Sequence, residues 1–354
     1  MKKPPSNRRL LLSTITNVKR ALAGILVSVL LVGCASQTAN EKPKPSPTPT
    51  ASNITIAFGG DTHGVYQISN FLNSGGNPFA GVSDLLTKAD ISVVNLESAV
   101  TAHQIKQEKK YTFNSNPYLL DWMKTSGVDV VNLGNNHGGD FMREGLTETI
   151  KNVEDRGMKV IGAGNSGREA WTAKVINVRG TKVALLGIAK INSGVETLAT
   201  GEQAGTTNGW DPQVIELAIK AAARQAKIVI VYTHWGVEEK FCPQNRDVED
   251  AMMWLEWGAT AVIGSHPHRQ QPAIRYGSKL VDYSLGNFVF YATSGGGLES
   301  GVGYLTVSPQ GEVVDYQFNP ALINPNTGAP ILLSGQQKKD AIAKKQRSCK
   351  NLGN

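Results

Sequence analysis

The chain has 354 residues, a formal net charge of +7 and 40% hydrophobic residues, enough for one large α/β core. The positive charge sits at the ends: residues 1–34 hold +6 and residues 335–354 hold +5, which leaves −4 for everything between. The basic balance therefore gives no support to nucleic-acid binding by the folded part.

Residues 1–20 carry six basic side chains and no acid, and the apolar run "ALAGILVSVLLVG" follows. That run is too short to span a bilayer comfortably and is placed like the core of a signal peptide. It closes on "LVGC", Leu31 to Cys34, which resembles the lipobox of bacterial lipoproteins and makes Cys34 the expected lipidation site. Residues 35–52, rich in Pro, Ser, Thr and Lys, cannot bury a core and read as a tether. The expected location is extracytoplasmic, with a lipid anchor in the bacterial cell membrane or envelope. An oxidising compartment would permit Cys242 and Cys349 to pair, but Cys349 falls in residues 326–354, a basic C-terminal tail expected to be mobile from Gly335 onward.

Between these ends, residues 53–325 read as one domain. Nearly continuous apolar runs recur, among them "ITIAFGGD", "ISVVNLES", "VDVVNLGNNH", "KVALLGIAK", "KIVIVYTHW", "TAVIGSHPH" and "KLVDYSLGNFVF", as in strands buried on both faces. Helical patterns alternate with them. "NPYLLDWMKTSG" and "DPQVIELAIKAAARQA" open on an N-cap residue and proline, Asn116–Pro117 and Asp211–Pro212, while "FMREGLTETIKNVEDRG" and "VEDAMMWLEWG" end in glycine. The repetition predicts an α/β domain with a largely parallel central sheet, joined by antiparallel strands between about Lys279 and Leu322.

Polar groups collect where these strands end. Asp61 and His63 close the first run, Glu97 the second, Asn135, Asn136, His137 and Asp140 the third, His234 a later one, and His266 and His268 flank Pro267 after "TAVIGS". Ligands of α/β sheets bind outside the carboxyl ends of strands, so these endings can share a crevice. Four imidazoles, two carboxylates and the amide of Asn136 are too many donors for one metal ion and about right for two. Mixed nitrogen and oxygen ligands suit Mn, Fe or Zn, and the lack of cysteine argues against structural zinc. No aromatic pair has an evident place beside the crevice.

The order D-x-H, a later carboxylate, G-N-N-H, a lone His and G-S-H-x-H resembles the calcineurin-like metallophosphoesterases. The fuller text "NLES", "NNHGGDFMREG", "HWGVE", "GSHPH" and "YSLGNFVF" is similar to the CapA-type poly-γ-glutamate capsule-synthesis family within that fold, over about residues 54–291. The resemblance implies a two-sheet β-sandwich flanked by helices. It implies one ion among Asp61, His63, Glu97 and His268, and a second among Glu97, Asn136, His234 and His266, with Glu97 bridging. His137, oriented by Asp140, would donate a proton to the leaving group, and Glu238, Asn287 and the loop "TSGGGLESG" would line the substrate side. Phosphoesterases usually bridge their ions with the aspartate of a Gly-Asp pair, where this chain has Glu97; its D-x-H element is intact.

Two functions from different classes follow. One is a metal-dependent hydrolase of a phosphoester or an anionic polymer such as poly-γ-glutamate, and the other a non-catalytic binding or export component working with membrane-bound synthase subunits. A secreted phosphoesterase or nucleotidase is a third.

Overall fold

The computed structural model describes residues 52–292 and 295–352. Cys34, the apolar run before it and the tether lie outside the described residues, as do Thr293 and Ser294 of the glycine-rich loop. Among the described residues no helix is long and apolar enough to cross a membrane. In chain order the strands are β1 (Ile54–Thr62), β2 (Ile91–Leu96), β3 (Val130–Asn132), β4 (Lys159–Ile161), β5 (Ala163–Gly164), β6 (Lys174–Val178), β7 (Thr181–Ala189), β8 (Gly205–Thr206), β9 (Ile228–His234), β10 (Ala261–Ser265), β11 (Gln271–Tyr276), β12 (Lys279–Ser284), β13 (Glu299–Val307), β14 (Val313–Ile323) and β15 (Pro330–Leu332).

Strand and helix alternation predicts one central sheet, but the strands form two large sheets, as the family resemblance implies. One has the order β15-β14-β13-β1-β2-β3-β4 and the other β11-β12-β10-β9-β7-β6. Each has a parallel centre, β1 to β4 in the first and β7, β9, β10 and β12 in the second. Antiparallel partners complete them: β13 to β15 extend the first, and β6 and β11 edge the second.

The apolar runs are continuous because each inner strand has both faces covered, one by the opposite sheet and one by helices. Ile54, Ile56 and Phe58 of β1 meet Ile228, Ile230 and Tyr232 of β9 between the sheets. Ala57 faces the other way, into a core built with the helices Tyr118–Thr125 and Met142–Glu154. On the far side Val229 and Val231 pack against the helices Pro212–Gln225 and Asn245–Glu256. Each fully buried side chain of this size contributes about 1.5–3 kcal/mol.

Helix starts follow local chemistry. Asp211 Oδ1 accepts the backbone N–H groups of Gln213 and Val214 at 3.0 and 3.3 Å, with Pro212 in the first turn. Asn116 accepts the Tyr118 N–H at 3.0 Å, one residue outside the position expected for it. At the start of the described chain the Arg179 side chain donates to Ser52 Oγ and to the Asn53 carbonyl and pairs with Asp90.

The expected mobile tail is corrected by the structure. Gly335–Lys345 is a helix, and Lys345 is 1% exposed. Its Nζ donates to Gln271 O, Asp282 Oδ1 and Ser284 O at 2.7, 2.8 and 2.9 Å. Four residues later Cys349 forms a disulfide with Cys242, with Cα atoms 5.8 Å apart. A run of lysines looks solvated in sequence; here one of them meets three buried acceptors from distant strands.

Candidate metal centre

Strand parity aims most of the donors. In β2, Ile91 and Val93 face the space between the sheets, so Asn95 and then Glu97 follow on the same side. Ile228, Ile230 and Tyr232 of β9 lead in the same way to His234, and Ala261 and Ile263 of β10 lead to Ser265. β1 is out of phase, since Ile54, Ile56 and Phe58 point inward and Asp61 should not. A register shift corrects it: Phe58 pairs with Val93 but Asp61 pairs with Asn95, so β1 holds one extra residue. This bulge turns the strand end and presents Asp61 beside Asn95, whose Nδ2 donates to Asp61 Oδ1 at 2.8 Å. Gly59 and Gly60 lie within it because the segment after β12 passes hard against them. A Cβ on Gly60 would lie 1.9 Å from the Gly286 carbonyl oxygen.

Two groups of donors result, Asp61, Glu97 and His268 in one and Glu97, His234 and His266 in the other. Glu97 belongs to both, with Oε1 3.5 Å from His234 Nε2 and 3.8 Å from His268 Nε2. Asn136 Oδ1 lies 2.7 Å from His234 Nε2 and joins the second group. Both Glu97 carboxylate oxygens are buried without a hydrogen-bond partner among the described residues. Burial and the neighbouring Asp61 charge push its carboxyl up to about 8. Burial opposes the charge on Asp61 as well, but His268, His234 and the backbone N–H of His266 hold it down to about 2. His268 is raised to about 10 against its burial by Glu97 and Asp61, whereas burial lowers His234 to about 3 and His266 well below its usual range. A buried carboxyl group whose two oxygens lack a hydrogen-bond partner, set between His234 and His268, fits a pair of divalent cations that would displace the protons on Glu97 and His268.

His63 is the exception among the expected ligands, because the structure brings it into neither group. Its ring packs 4.2 Å from Phe290 and 5.2 Å from Phe113, and its Nε2 lies 3.4 Å from the Tyr291 N–H. Burial, with His137 and His268 nearby, lowers its pKa well below the usual value.

His266 and His268 differ in destination because their backbone is bent. Both have positive φ, 100° and 52°, which costs a non-glycine residue about 1–3 kcal/mol. The turn is held from outside: His266 N–H donates to Asp61 Oδ2 at 3.1 Å, Glu239 N–H to Pro267 O at 2.8 Å and Arg269 Nη1 to His268 O at 2.7 Å. His266 Nδ1 thereby lies 3.1 Å from His234 Nε2, and His268 Nδ1 lies 3.3 Å from Asp61 Oδ2.

His137 and Asp140 pair at 2.8 Å through Nδ1 and Oδ2. The segment between β2 and β3 locks the pair. Phe113 N–H donates to Asp140 Oδ2 at 2.6 Å and its ring stacks on His137 at 4.3 Å, while Lys109 pairs with Asp140 Oδ1 and donates to the Asn136 carbonyl at 2.5 Å. His137, His268, Glu238 and Asn287 line a cleft of about 340 Å³. Asn287 is committed further than expected: its Oδ1 meets His268 Nδ1 at 2.9 Å and its Nδ2 donates to Gly297 O at 2.9 Å. Contrary to the sequence reading, the cleft has aromatic walls, formed by Tyr111, Phe113, Phe290 and Tyr291.

Lys109 and Phe113 escaped notice in the polar stretch around "QEKKYTF". Asn95 and Asn132 had a signal, the text "VVNL" occurring at 93–96 and at 130–133. These copies pair in register, Asn95 beside Asn132, and Asn132 Nδ2 donates to Asn95 Oδ1 at 2.8 Å. Asn135 Nδ2 donates to the same oxygen at 3.0 Å, so an amide chain braces Asp61 from below.

Residues 55–292 match the family model described as bacterial capsule synthesis protein PGA_cap. The capsule biosynthesis protein CapA of Bacillus anthracis is 29% identical over 75% of this chain and 66% of its own length. The PGA biosynthesis protein CapA of Bacillus subtilis is 31% identical over 60% of this chain and 56% of its own. The chain thus spans less than two thirds of either relative. Among solved structures, a phosphatase from Mycoplasma pneumoniae superposes with a TM-score of 0.49 at 15% identity, over 77% of this chain and 95% of that one. The NAD nucleotidase of Haemophilus influenzae gives 0.47 at 13% identity, over 83% and 55%.

Proposed function

Because the chain belongs to the bacterial capsule synthesis protein family PGA_cap, we propose that it serves synthesis or export of an anionic envelope polymer of the poly-γ-glutamate type, as a two-metal hydrolase. The observation that carries this reading is Glu97, a buried carboxylate with two unpaired oxygens shared by two groups of imidazoles and acids. Asp61, His268 and Glu97 would hold one divalent ion, and Glu97, His234, His266 and Asn136 the other. Such ions polarise the bond to be cleaved and supply a nucleophilic water. The protein's own part is positional. Asp140 Oδ2 accepts from Nδ1 and stabilises the doubly protonated His137 ring, which lines the cleft and delivers its Nε2 proton to the leaving group, leaving the Nδ1 proton on the neutral ring. Lys109 and Phe113 fix that pair.

General acid catalysis contributes about 10²- to 10⁴-fold, so His137→Ala should retain Mn²⁺ while losing most turnover, and His234→Ala should lose metal as well. A screen of poly-γ-glutamate, phosphoesters and nucleotides with the Mn²⁺-loaded protein tests the substrate. A protein that binds two ions and hydrolyses nothing is the polymer-binding or export component instead. The aromatic walls favour including nucleotides, since a base could stack there. Extracytoplasmic location through lipidated Cys34, and a membrane-bound synthase as partner, complete the proposal; normal incorporation of labelled fatty acid into Cys34→Ser would overturn the anchor.

A further inference from the structure

The strained turn at residues 266–268 depends on contacts from the loop at 236–243, and that loop is itself tied down at its far end. On the side of the turn, Glu239 N–H donates to Pro267 O at 2.8 Å, Glu239 pairs with Arg269, and Gln271 Nε2 donates to Lys240 O at 3.0 Å. On the far side, Cys242 is bonded to Cys349 and Asn351 Nδ2 donates to Pro243 O at 2.7 Å. Phe241 lies between two guanidinium groups, Arg347 at 4.4 Å and Arg269 at 5.8 Å from its ring centre. The C-terminal segment can hold the loop because it is anchored independently, by Lys345 among the ends of β11 and β12. Cys349 and Lys345 both lie beyond residue 292, where the family match ends.

We propose that the Cys242–Cys349 disulfide and Phe241 form a clasp that holds the His266–Pro267–His268 turn in its ligand geometry, so that metal retention depends on the oxidised clasp. The inference rests on the two-ion reading above. A turn with two non-glycine residues at positive φ persists only while its surroundings outweigh the strain. Loosening the 236–243 loop removes the Glu239 contacts and weakens the Arg269 contact, so the turn relaxes and both imidazoles leave their positions. Phe241 is accordingly a positioning residue and no catalytic role is assigned to it.

The test compares the full chain with Cys349→Ser, with Phe241→Leu, which keeps the disulfide, and with wild type reduced by dithiothreitol. In that reduction two electrons and two protons convert the disulfide to two thiols while the reagent closes to its cyclic disulfide. Amide hydrogen exchange and Mn²⁺ titration are measured on folded samples. Faster exchange at 237–241 and at His266 and His268, with Mn²⁺ affinity about 10- to 100-fold weaker, is the expected result, the size being that of lost ligand-orienting contacts. Altered exchange confined to the helix Gly335–Lys345 would make the disulfide a terminal staple and overturn the clasp. Faster loop exchange with unchanged Mn²⁺ affinity would overturn it too. Should wild type bind no Mn²⁺, the two-ion reading fails by itself, and the exchange at His266 and His268 still decides whether the clasp holds the turn.

Discussion

Glu97 and His268 both hold a proton more tightly in the metal-free protein than they do in an unfolded chain. Glu97 rises from 4.5 to about 8 and His268 from 6.5 to about 10. Ligation needs both deprotonated, so metal binding should release protons and strengthen as pH rises. The stability of the metal-free protein has the opposite sign. The contribution of Glu97 is complete below about pH 4.5 and is lost as pH rises through 8, and that of His268 declines between 6.5 and 10. Chelated protein should therefore melt at a lower temperature at pH 9 than at pH 6, with loaded protein much less affected. Calorimetry in two buffers of different ionisation enthalpy should show about one to two protons released per chain at pH 7. Equal heats in both buffers would contradict the assignment. Single residues of this kind were legible because their types are rare and sit after apolar runs. His63 joins neither donor group although its position in the text matches that of a ligand, because its ring packs on Phe113 and Phe290, which lie far away in the chain.

The bulge in β1 and the paired "VVNL" segments belong to the scale of elements. Strands were legible from their apolar runs, yet a bulge is a relation between two strands and leaves little mark in either one. Its only local trace is Gly59–Gly60, which reads equally well as a loop. Asn95 is where the two strands brace the site, receiving from Asn132 and Asn135 and donating to Asp61. Asn95→Ala should leave one hydrogen of each of two buried amides without an acceptor, Asn132 keeping Gly134 O and Asn135 keeping Leu96 O, and destabilise the protein by about 1–3 kcal/mol. It should also weaken Mn²⁺ binding about 10- to 100-fold through Asp61. Urea unfolding and metal titration of that variant give both numbers, and wild-type metal affinity would mean that the bulge alone positions Asp61. The hairpin strands β6 and β11 went unread for a related reason: they cover edges, and their half-exposed residues lack the continuous apolar signature of the inner strands.

Over the whole molecule the strands were legible to about Leu322, and the helix Gly335–Lys345 was not, because charge dominates the text after Gly335. Lys345 is buried by partners more than sixty residues away, an arrangement no local pattern encodes. Removing it leaves Asp282, 0% exposed, without its cation. Lys345→Met should lower the unfolding free energy by about 3–5 kcal/mol, and adding Asp282→Leu should recover much of that loss. A single variant as stable as wild type in urea would show that Asp282 finds another partner. The clamp of Arg179 on Ser52 and Asn53 also fixes an orientation. The described chain enters β1 at one end of the sandwich, and Asp61 emerges at the other, about 23 Å away by the rise of the seven steps from Ile54. The point where the described chain enters the sandwich and the donor groups at Asp61 and Glu97 therefore lie at opposite ends of β1, so a label on Asn53 would report on the base without touching the cleft.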